Sequence, residues 1–132
     1  MTGMTNPVWG SNFPDPQIVE GEGGYVAIAT NGNGMNVQTL TSPDLVDWTQ
    51  GSDALPDLPD WTSPGKVWAP ETARFGGTWV MYYTTRAPNP EIQCIGVAVA
   101  DAPEGPYRDT RWTAGVRGGP GRVDRRVPVH RH

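Results

Sequence analysis

Asp15 sits between two prolines, in Phe13-Pro14-Asp15-Pro16-Gln17-Ile18. A carboxylate can take a proton from water as a general base. Proline on both sides removes two backbone donors and restricts the geometry around it. Pro-Asp-Pro is also an ordinary turn sequence, and spacing alone favours the turn. A second group is Val67-Trp68-Ala69-Pro70-Glu71. Trp68 is either a flat stacking platform or a core side chain, and Glu71 either lines a cleft or caps a strand end. Asp44, Asp47, Asp53, Asp57 and Asp60 lie among Pro, Ser and Gly and read as solvated turn carboxylates. No His or Cys spacing suggests zinc, and no glycine-rich phosphate loop precedes a helix. No cofactor is implied. Gly32-Asn33-Gly34 reads as a hairpin turn.

The elements that must position these residues are short strands. Glycine (17) and proline (14) approach a quarter of the 132 residues, which disfavours long helices. Six tryptophans argue against disorder. The single cysteine, Cys94, excludes an intrachain disulfide, and within the apolar run Ile92–Ala100 it reads as a small buried side chain.

The chain also repeats itself. Gly24-Tyr25-Val26-Ala27-Ile28-Ala29-Thr30 lines up with Gly77-Thr78-Trp79-Val80-Met81-Tyr82-Tyr83-Thr84, each opened by Gly-Gly and each suited to a strand buried on both faces. A second strand follows each, Val37–Thr41 and Ile95–Val99. Then come Ser42–Trp48 and Ala100–Tyr107, where a Pro- and Asp-rich turn leads to an aromatic residue. One further extended segment precedes each copy, Gln17–Glu20 and Trp68–Phe75. Four strands per unit, twice over, is the pattern of β-propeller blades. A small β-sandwich has the strands but does not require the repeat. The expected fold is therefore all-β, with about two blades. Propellers use at least four, so the chain either assembles from several copies or is a fragment.

Charge divides the chain. Up to Tyr107 there are three basic residues against twelve acidic ones. From Arg108 onward seven arginines face only Asp109 and Asp124. A basic tail suits nucleic acid, but the body is acidic and the tail has one aromatic, Trp112, so no nucleic-acid partner is expected. The start lacks a basic region followed by an apolar stretch, and no run is long enough to cross a bilayer, so the expectation is a cytoplasmic protein with no membrane partner. The sequence carries no sign of the oligomeric state.

In order and at blade spacing, Asn6-Pro7-Val8, Phe13–Ile18, Ser42–Trp48, Val67–Glu71 and Ile95–Ala100 with Gly105-Pro106-Tyr107 resemble glycoside hydrolase family 43. These are five-bladed propellers acting on arabinose- and xylose-containing glycans. The similarity covers residues 6–109, leaving 110–132 as a basic Gly/Arg/Pro-rich tail. It implies an inverting hydrolase of O-glycosidic bonds with an oligo- or polysaccharide substrate. The family's first-blade aspartate, its general base, maps to Asp15, and Trp68 and Glu71 fall at the substrate funnel. Invertase-like propellers carry different neighbours around their aspartate and fit less well. An axial ion held by some members would have its ligands in later blades.

The resemblance also implies that the tail is out of register. A third-blade motif Ser-Ile-Asp-x-x-x-Phe-x-Asp belongs where Val123–His132 stand. A codon set that the genetic code permits for those residues, read one base later, gives Ser-Ile-Asp-Ala-Ser-Pro-Phe-Thr-Asp. The tail then reads as a frameshifted, disordered segment, and the acid and its pKa-tuning aspartate are missing. The expectation is an inactive fragment. The alternative is a non-catalytic carbohydrate-binding protein assembled from several chains.

Overall fold

The computed structural model describes residues 3–88 and 91–109. The tail beyond Asp109, with its expected out-of-frame motif, lies outside the described residues. Those described form two four-stranded antiparallel sheets and no helix. The first sheet runs in chain order through β1 (Gln17–Gly21), β2 (Gly24–Ala29), β3 (Gln38–Ser42) and β4 (Thr49–Gln50). The second runs through β5 (Trp68–Phe75), β6 (Thr78–Pro88), β7 (Glu91–Ala100) and β8 (Arg108–Asp109). Each sheet is a meander whose first strand is the innermost, as in a propeller blade.

The hairpins follow from the glycines. Gly21 pairs with Gly24 across Glu22-Gly23, and Phe75 pairs with Thr78 across Gly76-Gly77, where Gly76 takes φ 63°. Two-residue loops of this kind need a residue that tolerates positive φ. Gly24 is held for a second reason. It has φ 133°, and a Cβ there would lie 2.5 Å from the Ser42 carbonyl oxygen. These loops also correct the repeat by one residue. Gly24 corresponds to Thr78 and not to Gly77, because each opens its strand directly after a two-residue loop. In a strand such a shift exchanges the two faces.

With the register corrected, the core lies between the sheets. Val26 and Ile28 of β2 meet Trp79, Met81 and Tyr83 of β6, closed off by Leu55, Val67 and Tyr107. The Tyr107 hydroxyl is 2.7 Å from Thr72 Oγ1 and 2.9 Å from the Pro103 carbonyl oxygen, and burial pushes its pKa up to about 12. The Tyr83 hydroxyl is raised further, first by burial and then by the negative charges of Asp109 and Cys94. A Cβ at Gly96 would fall 2.5 Å from the Tyr83 ring, so the tyrosine fits only over a glycine.

Several expectations shift here. Asp53 is a structural acceptor, taking the backbone N–H of Asn36 (2.7 Å), Val37 (3.0 Å) and Leu55 (2.9 Å) and so fixing the link between the sheets. Asp44 is the exposed turn carboxylate expected. It accepts the N–H groups of Val46 and Asp47, both at 2.9 Å, and those bonds, led by Asp47, lower its pKa. Cys94 is half-buried, and Ile92 and Ile95 beside it are exposed, Ile95 by 70%. The run Ile92–Ala100 is apolar on both faces, but the second sheet has a packed neighbour on one face only. Ile95 shares the uncovered face with exposed Tyr82, whereas Ile92 and Cys94 lie on the face of Tyr83, toward the end of the strand.

Candidate functional site

Asp15 precedes β1 by two residues, so it stands at the start of the innermost strand and not on it. Its backbone is left-handed, with φ 53°. Aspartate tolerates this conformation better than most residues, and the proline that follows disfavours the right-handed helical alternative. The segment is pinned from below by the Thr30 N–H, which donates to the Pro14 carbonyl at 3.1 Å. The exposed Asp15 carboxylate then accepts the Thr30 hydroxyl, Oγ1 to Oδ2, at 2.9 Å.

The second sheet reaches the same point. Ala69, the second residue of β5, donates its N–H to Thr30 Oγ1 at 2.9 Å. Ala69 is itself left-handed at φ 49°, a conformation that costs a residue with a Cβ about 1–3 kcal/mol and persists only where its surroundings enforce it. The ladder of β5 with β6 shifts register between Trp68 and Glu71, and this irregularity accommodates the turn of the backbone at Ala69. Two further links bind the inner strands. The Asn31 N–H donates to the Val67 carbonyl at 2.9 Å. The Gln17 side-chain amide pairs with Thr72 as a strand would, donating to its carbonyl at 3.0 Å and accepting its N–H at 2.7 Å.

Trp68 lies beside this junction, half-buried, with the Arg86 guanidinium 6.0 Å from its ring centroid. Arg86 is held in turn by Gln93 Oε1 at 2.8 Å and by Glu91 at 3.7 Å. Glu71 is exposed and sits opposite Tyr82, on the face of the second sheet that points away from the first. The structure therefore gathers Asp15 and the Trp68–Ala69 step at one end of the inner strands, with Glu71 further along. The residue that sequence reasoning missed is Thr30. Its only signal was its place at the end of an apolar run.

Two hollows lie elsewhere. One of about 470 Å³, lined by Glu22, Tyr25, Arg74, Trp79 and Glu104, is at the far end of the strands. The other, of about 210 Å³, lies beside Trp9 and Gln50. Neither is lined by Asp15. No group of three or more His, Cys, Asp or Glu among the described residues is placed to hold a metal ion, so no chemistry is assigned through the axial ion of the family. Nor, among those residues, is any helix long and apolar enough to cross a membrane.

Two four-stranded antiparallel meanders packed side by side define the class: blades of a β-propeller. The chain belongs to glycoside hydrolase family 43, whose sequence model, Glycosyl hydrolases family 43, matches residues 4–129. The match thus runs past Asp109 into the basic tail. No curated protein sequence matches the chain at a significant level. Among solved structures, a thermostable family 43 glycoside hydrolase is 30% identical with a TM-score of 0.72, over 81% of this chain and 35% of its own. An exo-1,5-α-L-arabinanase from a bovine ruminal metagenomic library is 27% identical with a TM-score of 0.60, over 75% of this chain and 36% of its own. An exo-β-1,3-galactanase from Phanerochaete chrysosporium, 21% identical with a TM-score of 0.64, covers 83% of this chain and 28% of its own, and shares the fold. The chain spans about a third of the length of these enzymes. Substrates among them extend beyond arabinose and xylose, since one is a galactanase.

Proposed function

We propose that this chain is the first two blades of a catalytic propeller that hydrolyses O-glycosidic bonds with inversion, in glycans of the arabinose and xylose class. Asp15 is the general base that draws a proton from the attacking water. The observation that carries this reading is the Asp15 carboxylate itself, exposed and aimed by Thr30 at the end where the inner strands of the two sheets meet. Trp68 offers a ring face to the sugar, and Glu71 lines the cleft further along β5. Inversion needs a second, protonated carboxyl on the other side of the scissile bond, about 6.5–9.5 Å from the base. We assign that acid to a later blade. Without it the leaving group departs unprotonated, and a factor of about 10²–10⁴ in rate is lost.

The 132-residue chain alone is therefore expected to be inactive. Incubation with aryl α-L-arabinofuranoside, β-D-xyloside and β-D-galactoside should release no aryl alcohol above the buffer rate. Turnover abolished by Asp15→Ala would show instead that two blades suffice, and turnover of the galactoside alone would move the substrate class.

The carbohydrate-binding alternative is favoured by one observation, the apolar face that Tyr82 and Ile95 leave open on the second sheet. A defined oligomer with glycan affinity, measured by mass in solution and by titration, would support it over the catalytic reading. We also propose that residues 110–132 are an out-of-frame reading of the third blade. The family match covers this segment as it stands, so the nucleotide sequence after Tyr107 decides. A propeller continuation in another frame is the expected result, and its absence ends the proposal.

A further inference from the structure

The Thr30 hydroxyl has one proton and two neighbours. Ala69 brings an N–H, which can only donate, at 2.9 Å, so it occupies a lone pair of Oγ1. The Thr30 proton is then free to point the other way, to Asp15 Oδ2 at 2.9 Å. The direction of the chain of hydrogen bonds is fixed by chemistry: Ala69 N–H to Thr30 Oγ1, Thr30 O–H to the Asp15 carboxylate. A backbone amide on a ladder strand of one sheet thereby orients a carboxylate at the edge of the other. Three features hold the relay in place. Thr30 donates its own N–H to Pro14, adjacent to Asp15. Asn31 donates to Val67, two residues before Ala69. Gln17, two residues after Asp15, is clamped to Thr72. Both ends of the relay, Asp15 and Ala69, are also left-handed residues, so each end has a defined backbone.

We propose that Thr30 is a positioning residue that locks the Asp15 side chain in one rotamer, and that it does so only while the second sheet is docked, because Ala69 sets the direction of its hydroxyl. The inference deepens the reading of Asp15 as the base and rests on it. The geometry itself is readable without catalysis.

The test is nuclear magnetic resonance on the 132-residue chain, following the Asp15 Hα–Hβ couplings and the Ala69 amide. In the native chain the couplings should report a single rotamer, and the amide should be protected from exchange. Thr30→Val keeps the shape and removes the hydroxyl. It should average the couplings and speed Ala69 exchange about tenfold or more, whereas Thr30→Ser should restore both. If Thr30→Val fails to fold, Asp15→Ala serves instead. It should leave the Ala69 amide protected and shift the Thr30 Cβ resonance, since only the carboxylate is lost. Averaged Asp15 couplings in the native chain would overturn the proposal. So would an unmoved rotamer in Thr30→Val, failure of serine to restore it, or a Thr30 resonance indifferent to Asp15→Ala. Because no outcome involves turnover, a failure here is distinct from a failure of Asp15 as the base.

Discussion

The two sheets begin in the same way and end up with different tasks. Their registers place Pro14-Asp15-Pro16-Gln17 over Trp68-Ala69-Pro70-Glu71, and Thr30 over Thr84. Both segments put a left-handed residue before a proline at the start of the inner strand. The unusual backbone at Asp15 therefore belongs to how a blade starts, and a carboxylate placed there inherits an aim that the fold already supplies. In the second sheet the same position holds Ala69, which lends only its N–H. Under the proposed reading of Asp15, chemistry is grafted onto one copy of a shared scaffold. The partners differ in the same sense: Gln17 grips the backbone of Thr72, whereas its counterpart Glu71 is exposed on the open face.

The comparison breaks most severely at Gly96. The first sheet pairs Ala29 with Gln38 where the second pairs Tyr83 with Gly96. Gly96→Val should force the Tyr83 ring out of the core and cost about 1–3 kcal/mol, seen as a lower urea midpoint. A small side chain at Ala29 leaves no such demand for glycine opposite it. Gln17→Ala comes next. It strips the Thr72 backbone N–H and carbonyl of their bonds to the Gln17 side chain and should cost about 1–3 kcal/mol by urea unfolding, against about 0.5 kcal/mol or less for Glu71→Ala. Equal losses would show that the two positions are not used differently.

Alkaline pH should separate the sheets more gently. The Tyr83 and Tyr107 pKa values are both raised by burial. Their neutral forms stabilise the fold fully below the unfolded value near 10, and that contribution is lost as pH rises toward about 12 for Tyr107. Urea midpoints should fall between those values, with tyrosinate absorbance appearing along with unfolding. The smallest effect belongs to Asp44, whose pKa is lowered chiefly by the Asp47 N–H. Its contribution is present above the unfolded carboxylate value and disappears as pH falls below it. Faster amide exchange at Val46 and Asp47 near pH 3, with the second sheet unaffected, would register it.

How much of this the sequence carried depends on the range of the interaction. The inner strands at Gln17 and Trp68 were legible because aromatic and β-branched runs bounded by Gly-Gly or Pro are local signals, and the repeat made them blades. Asp15 and Trp68 were singled out through the resemblance to family 43, since spacing alone favoured a turn at Asp15. Thr30 was not, because its role depends on meeting Ala69 across two sheets, and a threonine at a strand end has many uses. The left-handed turn at Ala69 gave no warning either, since alanine carries none of the Gly, Asn or Asp signal that marks such positions. Asp53 looked like any loop carboxylate until the N–H groups of Asn36 and Val37 came to it. Trp48, the aromatic residue that ends the turn Ser42–Trp48, is half-buried, with its indole N–H donating to the Leu45 carbonyl at 3.2 Å. Pattern reports which face of a strand is apolar, and whether a neighbour covers that face is a tertiary fact, as exposed Ile95 shows.

The role of Asp15 is tested most directly by supplying what the two blades lack. Residues 1–109 joined to the later blades of a family 43 enzyme restore a complete propeller, and its turnover of an aryl arabinofuranoside is compared with that of the Asp15→Ala version. The expected result is a fall in kcat of about a hundredfold or more with KM little changed. An unchanged kcat in the Asp15→Ala propeller would show that water is activated elsewhere and that Asp15 is a turn residue after all.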